Sequence, residues 1–177
     1  MVRLYVYDEG QCDPKKCTGR RLARFNLAQE IASLRRVPYG SIVLTPYSQK
    51  AISREDASRA EAHGLVVLDL SWKNIETIPK IKSGTQGRAL PFLLAANQVN
   101  WGKPLKLSSA EALAAALFIM GFKDQARETL SKFSFGDEFF RLNREPLERY
   151  SAASTSAEVV AIQLDYLQEE EPAEKGP

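Results

Sequence analysis

Three stretches of this chain carry side chains suited to chemistry. The first is Asp13-Pro14-Lys15-Lys16-Cys17-Thr18-Gly19-Arg20-Arg21, followed by Arg24. Lys15, Lys16, Arg20, Arg21 and Arg24 form the densest basic group in the sequence, in a loop and at a helix start, where backbone N–H groups also attract anions. This suits a track for RNA phosphates, with Thr18 able to hold a carboxylate or phosphate; the plainer alternative is a solvated basic face. It is not the glycine-rich phosphate loop, because the first Gly and the Gly-Lys-Ser/Thr ending are missing. The second stretch, residues 65–72, is an apolar run ending in Asp69-Leu70-Ser71-Trp72. It sets polar and aromatic groups at the carboxyl end of a buried strand, where open α/β sheets bind ligands. Asp69 there suits an amino group and Trp72 a cation; otherwise Asp69 caps a turn and Trp72 is core. The third, Leu44-Thr45-Pro46, lies at another strand end and by itself is a turn. No nucleophilic triad, paired carboxylates or metal pattern accompanies them. His63, the only histidine, precedes Gly64 at a helix end. Cys12 and Cys17 are too few for a disulfide scaffold and read as reduced thiols. The chain is thus equipped to position a reactive ligand rather than to generate a strong nucleophile.

The elements that must position these groups follow from pattern. Residues 3–7 alternate and read as a strand, then residues 8–19 as a loop. Leu27, Ile31 and Leu34 recur at helical spacing, ended by Pro38. Residues 41–44 form a second short apolar run. Ser53-Arg54-Glu55-Asp56 caps another helix, with Gly64 beyond its end. Residues 65–68 suit a strand buried on both faces. A weakly patterned helical piece follows to about residue 81, and residues 82–88, with two Gly, read as a loop. Alternation of strands and helices to about residue 94 predicts a parallel α/β sheet.

The stretch 88–121 stands at the centre of this plan. Residues 90–96 are an apolar run, 97–104 a polar turn around Trp101, and Ser108-Ser109-Ala110-Glu111 a capping box. The box opens an Ala-rich helix that Gly121 stops. Small residues on every side make a tight wall beside a crevice, suited to a small ligand bound mainly through backbone groups. Beyond it only helices are expected: residues 123–133, residues 136–143, one with Pro146 at a first helical position, and one opened by Thr155-Ser156-Ala157-Glu158 with Val159, Ile162 and Tyr166 on one face. The reading is therefore an α/β domain over residues 1–94, a helical domain over 95–168 and a disordered acidic tail over 169–177.

Composition sets the remaining bounds. The chain of 177 residues holds 24 Lys+Arg against 22 Asp+Glu, a net charge of +2. Acids gather after Asp165, so the body is more basic than the total implies. No apolar run is long enough to span a membrane, and the first residues lack the apolar core of a signal peptide. These features read as a soluble, cytoplasmic protein.

Taken together, the sequence resembles the aminocarboxypropyltransferases of small-subunit ribosomal RNA, ribosome-maturation factors of archaea and eukaryotes. The resemblance rests on Cys12-Asp13-Pro14-Lys15-Lys16-Cys17-Thr18-Gly19, on Leu68-Asp69-Leu70-Ser71-Trp72, and most strongly on Arg88-Ala89-Leu90-Pro91 through Ala95-Ala96-Asn97-Gln98-Val99-Asn100-Trp101-Gly102-Lys103-Pro104. Residues 107–112 and 133–150 agree as well; Gln98 and Trp101 stand where the family has Pro and Tyr. The resemblance implies a SPOUT-like, trefoil-knotted α/β domain with a helical C-terminal domain. It implies transfer of the 3-amino-3-carboxypropyl group of S-adenosylmethionine to N3 of an N1-methylpseudouridine, with small-subunit rRNA as partner, no metal and no membrane. The alternatives are a knotted RNA methyltransferase and a non-catalytic assembly factor. Carried over, Leu44, Pro46 and Trp72 enclose the sulfonium methyl, Asp69 binds the amino group and Thr18 the carboxylate. Leu68 faces the ribose, and Leu93 with the segment from Asn97 to Ser109, among it Leu107, Ser108 and Ser109, and Ala112 belong to the adenine wall, largely through main chain. Lys15, Lys16, Arg20, Arg21 and Arg24 meet RNA. Asp69 is also the candidate base for the imide proton, after its binding role. The helical half is expected to cover the surface through which knotted methyltransferases dimerise, leaving a monomer.

Overall fold

The computed structural model describes residues 1–10, 13, 17–69 and 81–169. Five parallel strands form one sheet: β1 (Leu4–Asp8), β2 (Gln29–Ile31), β3 (Ile42–Leu44), β4 (Leu65–Asp69) and β5 (Gln86–Arg88), ordered β2-β1-β4-β3-β5. The helices among the described residues are α1 (Thr18–Arg24), α2 (Ala57–His63), α3 (Ser109–Met120), α4 (Lys123–Leu130), α5 (Gly136–Leu142), α6 (Arg144–Ala152) and α7 (Ser156–Glu169). Short 3-10 turns lie at Leu34–Arg36 and Arg54–Asp56. The expected parallel sheet is present, together with the helices.

β4 is central because Leu65, Val66 and Val67 are apolar on both faces and all buried, as a strand flanked by parallel neighbours requires. Alternation sorts the faces. Leu4, Val6, Ile42, Leu44, Leu65 and Val67 point into the larger core, which continues without a break through α3 to Leu147, Tyr150 and Val159. Tyr5, Val43 and Val66 point the other way, into a smaller cluster with Ile31 and Val37.

α3 is the hub. Ala110 to Met120 are all buried, so the helix is apolar all round and must be covered on every side. Its small Ala side chains let α1, α4, α6 and β4 pack closely around it. Gly121, at φ 103°, takes the left-handed conformation that ends it. Burial pushes the Tyr150 phenol well above its ordinary value; its hydroxyl donates 2.9 Å to the Phe92 carbonyl and so fastens α6 to the segment after β5.

Several local expectations change. The helix expected from Leu27, Ile31 and Leu34 is not there. Helix α1 comes earlier, around the single buried apolar Leu22, and Asn26 (φ 56°) turns the chain out of it. Ile31 belongs to edge strand β2 and faces the smaller cluster; its helical spacing from Leu27 was accidental. Gln86–Arg88, expected in a loop, is strand β5, held by its register with β3 rather than by any apolar pattern of its own. Pro146 is the third helical residue of α6, not the first. The helical piece expected after Trp72 and the acidic tail from Glu170 onward lie outside the described residues.

Candidate functional site

The carboxyl ends of β4 and β3 open together onto a cavity of about 1030 Å³. Its floor is Leu44 at the end of β3, Thr45 and Pro46 beyond it, and Val67, Leu68 and Asp69 in β4; Cys17, Thr18 and Arg21 stand on one side, and residues 97–100, 105–109 and Ala112 form the facing wall. That is the size of a pocket for a cofactor-like molecule.

Two acids end neighbouring strands in register, Asp8 of β1 and Asp69 of β4. Asp8 is committed. Its buried carboxylate pairs with Arg20 and accepts from Gly10 N–H at 2.7 Å, and the bond to Asp8 raises the Arg20 guanidinium further above its ordinary value. Asp69 is different. Among the described residues it has no cation; its Oδ2 takes only the Cys17 thiol, at 3.0 Å. A thiol is a weak donor, so most of the capacity of this carboxylate faces the cavity. Gly19 lets the first turn of α1 come this near: a Cβ there would stand 2.7 Å from Val6 Cγ1 and 3.3 Å from Asp69 Oδ2.

Thr18 sits between Cys17 and Gly19, in that same turn. Its Oγ1 accepts from Ala110 N–H at 3.2 Å, linking α1 to the start of α3. The hydroxyl proton is thereby left to donate into the cavity. The side chains that suit an ammonium and a carboxylate are therefore neighbours.

The facing wall is built on Glu111. This fully buried carboxylate accepts from Ala96 N (2.7 Å), Asn97 N (3.0 Å), Asn97 Nδ2 (2.8 Å) and Ser108 N (2.7 Å). The last bond, with Ser108 Oγ accepting from Glu111 N at 3.3 Å, is the capping box. The turn between is cross-braced: Gly102 N donates to Ala95 O, Ala95 N to Lys103 O, and Leu105 N to Leu93 O.

Of the residues singled out from sequence, Thr18, Leu44, Pro46, Leu68, Asp69, Leu107, Ser108, Ser109 and Ala112 line the cavity together. Leu93 does not; it is core, and its carbonyl holds the wall from behind. Trp72, Lys15 and Lys16 lie outside the described residues. Arg21 lines the cavity, its guanidinium 4.6 Å over the Phe133 ring, and Arg24 is exposed. Arg20 is held by Asp8. Lys106, within the segment 97–109 expected to meet the adenine, lines the cavity too; sequence reasoning missed Phe135 and Gln163, which also line it. Gln163 of α7, whose Oε1 accepts from Phe92 N at 2.9 Å, carries no motif signal.

Comparison with known proteins agrees with this geometry. A family model described as the C-terminal part of a ribosome biogenesis protein matches residues 42–167, and one described as a possible Fer4-like domain in RNase L inhibitor matches residues 2–35. An iron–sulfur cluster does not fit the latter segment, since such clusters need four thiolates and the whole chain has two cysteines. A 16S rRNA aminocarboxypropyltransferase from Methanosarcina mazei is 50% identical over 94% of this chain and 95% of its own length. Another from Methanocaldococcus jannaschii is 45% identical over 94% of this chain and 97% of its own. The solved structure of the SAM-dependent rRNA:acp-transferase Tsr3 from Vulcanisaeta distributa superposes with a TM-score of 0.83, at 39% identity, covering 95% of this chain and 96% of that one.

Proposed function

The chain belongs to the 16S rRNA aminocarboxypropyltransferase family, and from that premise we propose that it transfers the 3-amino-3-carboxypropyl group of S-adenosylmethionine to N3 of an N1-methylpseudouridine in small-subunit rRNA. The observation that carries the reading is the pair of strand-end acids: Asp8 neutralised by Arg20, and Asp69, which among the described residues meets only a thiol, lining the cavity beside the Thr18 hydroxyl. That donor set fits the amino-acid end of S-adenosylmethionine. Asp69 accepts from the ammonium, and Thr18 donates to the carboxylate near the positive end of α3.

When bound, S-adenosylmethionine supplies a sulfonium whose three attached carbons are all open to attack. The protein's task is to choose among them by position. Leu44 and Pro46, at the foot of the cavity, cover the methyl together with Trp72. Asp69 and Thr18, by fixing both ends of the amino acid, hold the adjoining methylene toward the acceptor ring. Main-chain groups around Leu68 meet the ribose, and the wall of residues 97–100, 105–109 and Ala112, backed by Leu93, meets the adenine. Asp69 is also the nearest carboxylate to take the imide proton. Arg21 and Arg24, with Lys15, Lys16 and Arg20, supply charge for the RNA backbone.

We infer a trefoil knot as in the SPOUT-like folds. It is supported by the way the chain leaves β5: Thr45 N donates to Arg88 O, and one residue on Ala89 pairs with Lys50 and Ile52, the far end of the same loop. In this reading residues 1–94 contribute the floor and residues 95–168 the wall. We infer a monomer, supported by the burial of Ala110 to Met120 under neighbouring elements of the same chain, acting in the cytoplasm as modification of rRNA implies; among the described residues no helix is long and apolar enough to cross a membrane.

Incubation with small-subunit rRNA that carries the N1-methylpseudouridine but lacks the aminocarboxypropyl group tests the reaction. Label from the carboxyl carbon of S-adenosylmethionine should enter RNA, while methyl label should stay in the small-molecule product. Methyl label in RNA would make the protein a methyltransferase, and bound but unlabelled RNA an assembly factor. The assigned contact has its own test. Asp69→Ala should weaken S-adenosylmethionine by about 10- to 100-fold, the equivalent of a charge-assisted hydrogen bond of roughly 1.5–3 kcal/mol. 5′-Methylthioadenosine, which lacks the amino-acid part, should bind as before. Equal losses for both ligands would remove Asp69 from the ammonium site.

A further inference from the structure

We propose that Val99, Trp101 and Leu105 form a stacking platform at the cavity lip for an unpaired RNA base next to the modified nucleotide; this rests on the reading of the protein as an RNA-modifying enzyme.

Large apolar side chains exposed singly are ordinary. Here Val99 (76% exposed), Trp101 (58%) and Leu105 (53%) crowd into one turn. Val99 and Leu105 also line the cavity, so they stand at its mouth. The turn is not loose. Glu111 and the bonds from Gly102, Ala95 and Leu105 hold both of its ends. Leu105 is kept at φ 60° while half exposed, a strained backbone for a branched residue, of the kind that persists where surrounding structure imposes it at functional sites. Trp101 itself keeps more than half of its surface open.

The surrounding charge selects the partner. Arg21, Arg24, Lys103, Lys106 and Lys132 have no acidic partner among the described residues. Arg21 and Lys106 line the cavity, and Arg21 reaches the Lys132 carbonyl. Aromatic surface among unpaired cations is what single-stranded nucleic acid requires: stacking for bases, charge for phosphates. The chemistry adds a reason. A ring nitrogen can reach Asp69 and Leu44 at the cavity floor only if its base leaves the stack. The neighbouring base then loses a stacking partner, and the Trp101 face replaces it.

The test is binding of a short single-stranded oligoribonucleotide, titrated at several salt concentrations against wild type, Trp101→Ala, Trp101→Phe and Arg21→Ala, with melting temperatures and label transfer to small-subunit rRNA measured alongside. Trp101→Ala should bind about 5- to 100-fold more weakly with an unchanged salt slope, unchanged S-adenosylmethionine affinity and a wild-type melting temperature. Trp101→Phe should recover most of the loss. Arg21→Ala should instead flatten the log–log salt slope by about 0.7. Wild-type RNA affinity in Trp101→Ala overturns the platform, and so does failure of Phe to rescue, which would show that an aromatic face is not what binds. A wild-type protein that transfers no label sinks the proposed function itself; one that transfers label, with Trp101→Ala equal to it, sinks only the platform.

Discussion

Glu111→Ala is expected to destabilise the protein by about 3–5 kcal/mol, the range for breaking a buried, hydrogen-bonded charged network from one side. The carboxylate ties together Ala96, Asn97 and Ser108 through four N–H groups. Its removal leaves those donors facing one another around an empty space, each at a desolvation cost of roughly 1–3 kcal/mol that entering water relieves in part. For a chain of this size that corresponds to a fall of on the order of 10 °C in melting temperature. Glu111→Gln should fall between. Its oxygen still serves Ala96 and Asn97, but its NH2 now meets two donors, Asn97 Nδ2 and Ser108 N. Because the cavity wall hangs on this residue, S-adenosylmethionine and 5′-methylthioadenosine should weaken together in Glu111→Ala, unlike the split expected for Asp69→Ala. Urea denaturation and paired ligand titrations check both halves. Stability within about 1 kcal/mol of wild type would show that the wall does not depend on the network.

Arg88→Ala should cost about as much, roughly 3–5 kcal/mol, for a related reason. Arg88 ends edge strand β5, and its Nε donates to both oxygens of buried Asp56, at 3.0 and 3.1 Å, while Nη1 donates to Gly87 O at 2.7 Å. Asp56 also accepts from Ser53 N at 3.2 Å, at the turn that opens α2. Without the guanidinium an uncompensated carboxylate stays in the interior. Arg88→Lys keeps the charge but not the fork, and should recover only part. The double replacement Arg88→Met with Asp56→Leu should be more stable than Arg88→Ala, since an apolar pair leaves no buried charge. A double replacement as unstable as the single one would show that the pair is not the reason. Equilibrium unfolding of the cycle measures the coupling directly.

Both residues belong to the stretches by which the family was legible in the sequence, and both are structural. Arg88 and Glu111 mark the motifs because buried charges must be matched, whereas the groups assigned to the donor are the neighbouring Thr18 and Asp69. The central strand was readable because Leu65 to Val67 is apolar without interruption and bounded by Gly64. α3 was readable because a capping box and a glycine stop bracket a run of small residues. β5 was not: Gln86-Gly87-Arg88 has no apolar face, and only pairing with β3 makes it a strand. The misplaced first helix shows the same limit from the other side. Leu27, Ile31 and Leu34 keep helical spacing, yet Ile31 is claimed by the sheet face that Tyr5 and Val66 expose. In the site, the strand-end residues were legible from topology. The commitment of Arg20 to Asp8 was not, because it depends on how α1 lies over β1. Nor was Gln163, since no pattern on a helix says which of its polar residues turns inward.

The long-range bonds that fasten the last helices have a consequence for how the protein is made. Val2 shares two hydrogen bonds with Gln125, Ala51 N donates to Ser156 Oγ at 2.9 Å, Leu94 is bracketed by Asn143, and Phe92 N waits for Gln163. Translation proceeds at about 5–20 residues per second, so the earliest strand is outside the ribosome for several seconds before its partner amide from α4 exists. During that interval the parallel sheet, whose pairings are all non-local and slow to form, lacks the cover that α3 and the later helices provide. Until those helices emerge, Leu4, Val6, Ile42, Leu65 and Val67 have no layer to be buried against on the face that the larger core covers. Completion of the fold is timed by the emergence of α7, the element that closes the final contacts with residues 51 and 92.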